Sequence, residues 1–524
     1  MTAERRVLIV GAGMGGLTAA VLLAARGFEV ILLEMRGEPG GKMREVEAGG
    51  RLIDAGPTVL TMLWVFEQIF EDAGSSLTAH VGLSRIERLA RHAWANGSHL
   101  DLYSDIEQSV DAIGRLADAH EANGYRRFSK QAQIIYETLR DTFICASRTG
   151  PFGLSARVGR LSGIPDLLRI APFTTFWRAL GDYFSDPRLR QLFGRYATYC
   201  GSSPFLAPAT LMLVAHAERQ GVWLVDGGMA RLARAFCNLA RSLGVERRFG
   251  QRATRILVGN GRATGVETDE GERITADAII WNGDVSAIAD GSLGPAAARA
   301  VGATPPGERS LSALTWAMAA RTGGFPLMRH NVFFSRDYRA EFDDIFQRSH
   351  LPGAPTVYVC AQDRGDADSP GGHPARERLF CLVNAPTRPP NQPLTEAELQ
   401  SCEQAAFGLL ERCGLRIDRD QDSIRRTTPE DFARLYPSTR GALYGRATHG
   451  WRASFAREGS TTKLPGLYLA GGSVHPGPGA PMAALSGRQA ASRVAQDLVS
   501  TRTWSPGVTP GGTSTRSATI DSSV

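Results

Sequence analysis

No run of about 18 apolar residues occurs in the 524-residue sequence, so no transmembrane helix is expected. Cysteine is scarce: seven residues, an odd number, none in C-x-x-C spacing. That pattern argues for reduced thiols and against a disulfide framework or zinc site, and no metal centre is expected. Blocks of Lys and Arg are missing, as is any interleaving of basic with aromatic residues, and nucleic acid is rejected as a partner. A net charge of +6 is mild for this length and compatible with an anionic membrane surface. The first six residues lead straight into an apolar strand-like run, which reads as structural and not as a signal peptide. Residues 501–524 are rich in Ser, Thr, Gly and Pro with scarcely any apolar content, and a disordered tail is expected there. At 43% hydrophobic overall, the composition is that of an ordinary globular chain, too long for one core and expected to build two or three.

What is present is concentrated at the start. Val7-Leu-Ile-Val10 reads as a buried parallel strand, and Leu17 to Ala25 as a helix stopped by Gly27. Between them Gly11, Gly13 and Gly16 fall as G-x-G-x-x-G, with Gly15 inside the motif. Gly11 permits the tight turn, Gly13 lets a pyrophosphate approach the backbone, and Gly16 allows close helix–strand packing. The helix N-terminus then offers unpaired N–H groups to the phosphates. A second strand, 28–33, ends at Glu34, whose carboxylate suits a ribose diol with a free 2′-hydroxyl. Strand, helix, second strand and terminal acid together make an ordinary Gly-rich turn the poorer explanation.

Two further glycine clusters interrupt the expected next βα unit: Pro39-Gly40-Gly41-Lys42 and 49–58, which contains Asp54-Ala-Gly56-Pro57-Thr58. The order E-x-x-x-x-P-G-G-K resembles the flavoprotein superfamily of amine oxidases, carotenoid desaturases and Rab escort proteins, and implies FAD. Lys42 stands where that superfamily more often has Arg, so a point charge replaces a bidentate fork. The segment from 72 to about 221 reads as mostly helical and loop-rich. Within it, 151–180 mixes Arg157, Arg160, Arg169 and Arg178 with Leu, Ile, Phe and Trp. Such a composition fits either a bilayer interface or an amphipathic helix packed on its own domain. Short β runs from 253 to 281, broken by Asn260-Gly261 and Glu270-Gly271, read as a meander. Near the C-terminus a strand, 466–470, enters Gly471-Gly472-Ser473-Val-His475-Pro-Gly-Pro-Gly-Ala-Pro481-Met482, followed by a helix over 483–499.

That last motif resembles the C-terminal signature of bacterial carotenoid desaturases, as do Gly221-Val-Trp-x-Val-x-Gly-Gly-Met229 and Asp54-Ala-Gly-Pro-Thr-Val-Leu60. Two stretches, 195–204 and 440–451, are most similar to one branch, the 1-hydroxycarotenoid 3,4-desaturases (methoxyneurosporene dehydrogenases) of purple bacteria. The resemblance implies an α/β fold: a discontinuous Rossmann-type FAD domain of the glutathione-reductase and amine-oxidase kind, with a separate α+β substrate domain. The expected division is 1–75, 221–284 and 429–500 for FAD, and 76–220 with 285–428 for substrate and membrane contact. It implies desaturation of an acyclic, lipophilic carotenoid in spheroidene-type biosynthesis, with oxygen or a quinone as electron acceptor. The expected location is cytoplasmic, peripheral to the inner or intracytoplasmic membrane of a photosynthetic bacterium. Alternatives within the family are a phytoene desaturase or a carotenoid isomerase. Beyond it stand an FAD amine oxidase and a non-catalytic prenyl-lipid escort protein.

FAD would be held by Gly11, Gly13, Gly15, Gly16, Glu34, Gly40, Gly41, Lys42, Gly56, Pro57, Gly471, Gly472, Pro481 and Met482. Dehydrogenating carbon beside a polyene needs few side chains. Candidates are Asp166 with Arg169 one turn on, which otherwise form a surface ion pair, and His475, which either faces the flavin or caps a helix. Tyr196 and Tyr199 are core aromatics or partners of a substrate hydroxyl, and Asp54 is expected to bond backbone.

Overall fold

The computed structural model describes residues 5–161, 173–365 and 375–500. A five-stranded parallel sheet lies at its base. Its strands run in the order Leu467–Leu469, Ala278–Trp281, β1 (Arg6–Val10), β2 (Glu29–Glu34) and Glu246–Phe249. Three well-separated parts of the chain therefore share one sheet. Side chains alternate across β1 and β2. Val7, Ile9, Val30 and Leu32 face α1 (Met14–Ala24) and the helices Met229–Ser242 and Ala480–Ser500. Leu8, Val10, Ile31 and Leu33 face the meander Ala253–Gly259, Arg262–Thr268, Arg273–Thr275. Burial on both faces is why these strands are continuous apolar runs. The Asn260-Gly261 hairpin has both turn residues at positive φ, 50° and 73°, as the Asn-Gly pair suggested.

A second sheet orders Leu415–Asp418, Ser312–Gly324, Glu377–Ala385, Val357–Ala361, His330–Phe334, Arg88–Trp94 and His99–Tyr103, with Ile424–Thr427 also on Ser312–Gly324. Helix Glu396–Arg412, started by a Thr395/Glu398 capping box, covers one face through Leu399, Cys402, Phe407 and Leu410. The opposite face meets the ribbon Glu45–Ala48, Arg51–Asp54 through Ala317, Cys360 and Phe380. A third, helical core gathers Ile106–Leu116, Ala119–Leu139 and Pro187–Gly194.

The stretch after 72 departs from the helical expectation. It contains the strands Leu83–Ile86, Arg88–Trp94 and His99–Tyr103. Leu83–Ile86 pairs with Val222–Val225, and Arg88–Trp94 lies parallel to His330–Phe334. Arg88 and Arg91 gave these strands a polar, helix-like look, yet both reach Asp101 on the neighbouring strand, Arg91 at 2.7 Å. Long-range pairing overrode local propensity. Among the described residues, no helix is long and apolar enough to cross a membrane.

Candidate cofactor and substrate site

The glycines at the tip of β1 are required by their surroundings. Gly11 has φ +103°, and a Cβ on Gly16 would lie 2.0 Å from the Gly11 carbonyl oxygen. A Cβ on Gly15 would meet Asn282 Oδ1 at 2.6 Å and Gly471 N at 2.7 Å. Backbone from both ends of the chain thus converges at the start of α1, where helix N–H groups are unpaired. Asn282, just past the strand Ala278–Trp281, donates from Nδ2 to the Gly11 carbonyl at 3.0 Å. Its Oδ1 is buried without a partner. Sequence reasoning missed this residue; its only signal was its place at the end of a buried strand. Glu34 ends β2, 6% exposed, and accepts from Ala12 N at 2.7 Å and Arg36 N at 2.9 Å. Burial pushes its pKa up, opposed by those two N–H groups.

The second glycine cluster folds back on the first. Gly40 N donates to the Ala12 carbonyl at 2.8 Å, and Gly40 bridges Gly13. Gly41, with φ +58°, leaves room for Gly13, whose Cα would lie 3.3 Å from an added Cβ. Lys42 bonds the Leu443 carbonyl at 2.5 Å and lies over the Tyr436 ring, tying this loop to the C-terminal part of the chain. Gly56 packs so tightly that a Cβ would come within 1.9 Å of the Lys42 carbonyl oxygen. Asp54 accepts from Met229 N at 2.8 Å and Ala230 N at 3.3 Å, capping the helix Met229–Ser242. At the other end, Gly471 N donates to Ser486 Oγ at 2.7 Å. Arg457, also unforeseen, is buried and donates to the carbonyls of Tyr444, Arg446 and Gly472; burial lowers its pKa to about 10.

A cavity of about 390 Å³ opens against these loops. Gly56, Pro57, Pro481 and Met482 line one side, and Leu139, Phe143, Leu154, Leu211, Phe380 and Leu382 supply much of the apolar wall. Set into that wall are Arg195, Tyr199, Glu218 and Tyr358. Glu218 accepts from the hydroxyls of Tyr196 and Tyr199, the latter at 3.3 Å. Burial raises its pKa. Tyr199 therefore reaches the cavity, while Tyr196 is buried behind Glu218. His475 is 1% exposed and holds the carbonyls of Phe143 and Ala146 through Nε2, at 3.0 and 2.9 Å. It anchors the loop before Pro476, with the Phe143 ring edge-on at 4.8 Å. Asp166 and Arg169 lie outside the described residues.

A Cβ-free backbone cradle at a helix N-terminus, an unpartnered buried amide oxygen and a terminal acid on the second strand fit a dinucleotide. The comparisons agree with that geometry. Residues 14–495 match the family model described as flavin containing amine oxidoreductase. The chain belongs to that family: it is an oxidoreductase whose cofactor is FAD. It is 53% identical to a hydroxyneurosporene desaturase of Rubrivivax gelatinosus over 98% of both chains. With a hydroxyneurosporene desaturase of Cereibacter sphaeroides it shares 43% identity over 94% of this chain and 98% of that one. The fold matches a solved oxidoreductase of Methanosarcina mazei at TM-score 0.59 and 17% identity, covering 94% of this chain and 100% of that one.

Proposed function

We propose that this chain desaturates an acyclic carotenoid at carbons 3 and 4, taking substrates that carry a hydroxyl or methoxyl at carbon 1. The observation that carries the reading is the apolar cavity meeting the cofactor loops at 56–57 and 481–482. Bound FAD supplies the acceptor for a hydride from carbon 4, which is allylic, so that positive charge developing there spreads along the polyene. The chain's own work is to hold the substrate end against those loops and to keep water out. Leu139, Phe143, Leu154 and Leu211 do this by dispersion contacts with the hydrocarbon. The proton from carbon 3 passes to a base, for which Asp166 stands as the candidate, so that loss of hydride and proton leaves one new double bond. FAD is held by the glycines and Glu34 described above, with Lys42 fixing the loop that covers them.

The proposed division follows the chain's three returns to the parallel sheet: 1–75, 221–284 and 429–500 bind FAD, and the remaining folded parts bind substrate. Contact with a membrane is peripheral. Phe152 and Phe173 are 91% and 77% exposed, and Phe173 meets Trp451, which lines the cavity. Helix Pro151–Leu161 carries Phe152 outward and Leu154 into the cavity. Such a surface suits direct entry of substrate from lipid. Oxygen or a quinone is the proposed electron acceptor, and reoxidation rates with each would distinguish them.

The test is to incubate the FAD-loaded protein in membranes with 1-hydroxyneurosporene and with phytoene, following polyene absorption. A red shift by one added double bond is expected with the first. Conversion of phytoene with 1-hydroxyneurosporene untouched would overturn the substrate assignment.

A further inference from the structure

We infer that Arg195, Tyr199 and Glu218 form the subsite that takes the oxygen at carbon 1; this rests on the reading just given. A tunnel for pure hydrocarbon has no use for a cation and a carboxylate in its wall, because both lose hydration and the hydrocarbon offers neither a hydrogen-bond partner. Arg195 has five N–H donors. Among the described residues its guanidinium bonds only the Tyr199 hydroxyl, at 3.4 Å, and stacks over the rings of Tyr199 and Tyr358 at 5.5 and 5.3 Å. It makes no ion pair with Glu218, although both line the cavity. The remaining donors of Arg195 and a lone pair of Glu218 Oε1 are left for a ligand. An alcohol satisfies both, accepting from Arg195 and donating to Glu218. A methyl ether satisfies Arg195 alone.

Position supports the same assignment. The Tyr358 hydroxyl lies 2.7 Å from Thr58 Oγ1, and Thr58 follows the cofactor loop residues Gly56 and Pro57. The guanidinium stacked on Tyr358 is thus one side chain from the reacting end of the cavity. In the substrate, the oxygen is four bonds from carbon 4, a reach of about 5 Å at bond lengths near 1.5 Å. A carotenoid oxygenated two carbons from its reacting bond therefore carries its oxygen within a short reach of the flavin end of the cavity. Phytoene, which lacks oxygen, would leave it unpaired, the situation in which a hydrogen-bonding pocket discriminates most strongly.

The test measures dissociation constants of 1-hydroxyneurosporene, its 1-methoxy ether and neurosporene by quenching of flavin fluorescence, using the full FAD-loaded chain in detergent micelles. The wild type should bind both oxygenated compounds at least about tenfold more tightly than neurosporene. Arg195→Met should erase that preference, Tyr199→Phe should reduce it, and Glu218→Gln should shift preference from the hydroxyl towards the methoxyl compound. Flavin content and thermal midpoint establish that each variant is folded. Equal losses of affinity for all three carotenoids, or a preference that survives Arg195→Met, would overturn the inference. If the wild type converts only phytoene, the broader reading fails instead, so the two failures are distinct.

Discussion

Glu34 shows how much one carboxylate holds in place. Its two oxygens accept from Ala12 and Arg36 N–H groups and retain lone pairs for a ribose diol. Charge-assisted bonds of this kind contribute roughly 1.5–3 kcal/mol each. Glu34→Ala should therefore lose FAD while the far-ultraviolet circular dichroism stays native; full flavin absorbance in the purified variant would refute the role. Glu341 behaves differently. It is 1% exposed, accepts from Thr356 N and Asn384 Nδ2 at 3.0 Å each, and burial raises its pKa to about 6. A carboxyl with a raised folded pKa binds more protons folded than unfolded, so its contribution to stability falls as pH rises through about 6. Glu341→Gln should gain about 1 kcal/mol relative to wild type between about pH 5 and pH 8, read from urea midpoints. At this scale the tight turn at Gly11 and Gly16 and the place of Glu34 at the end of β2 were legible because their spacing is local. Asn282 was not: its partner Gly11 is 271 positions away. Arg195 and Glu218 escaped for the same reason, since nothing nearby in sequence says that they line a cavity.

Among elements, α1 and the helix Ala480–Ser500 approach closely enough to forbid side chains at their crossing. A Cβ on Gly487 would lie 2.1 Å from the Gly15 carbonyl oxygen. Gly487→Ala must push the two helices apart, at a cost of about 1–3 kcal/mol, and shift the backbone at the phosphate cradle. A lower thermal midpoint together with weaker FAD retention is expected; an unchanged midpoint would mean the helices accommodate the methyl. Elements with strong local patterns were readable, among them β1, α1, β2, the meander and the C-terminal helix. The strands Arg88–Trp94 and His99–Tyr103 were not, because Arg88 and Arg91 are neutralised by Asp101 across the pair, nor was Leu83–Ile86, whose Arg85 lies over the Trp223 ring. The segment 151–180 remained ambiguous in sequence for another reason: its arginines serve two ends. Arg157 turns inward and donates to the Ser147 carbonyl at 2.8 Å, whereas Arg178 is exposed.

For the whole molecule, that difference selects the residues for a membrane test. Reversing Arg157 would break bonds within the fold, so Phe152→Ser and Phe173→Ser with Arg178→Glu are the cleaner changes. Sedimentation with anionic vesicles should fall several-fold, with FAD content unchanged; undiminished sedimentation would move the contact elsewhere. The parallel sheet has one more implication, for biosynthesis. Its centre is made early in translation, from β1 and β2, but its edge strand Leu467–Leu469 and the Gly471 that closes on Gly15 are made last. A ribosome must thread more than four hundred residues past the half-built nucleotide site before that site has its second wall. Flavin capture therefore follows synthesis of Gly471, and yellow colour reports that the C-terminal segment has closed on Gly15.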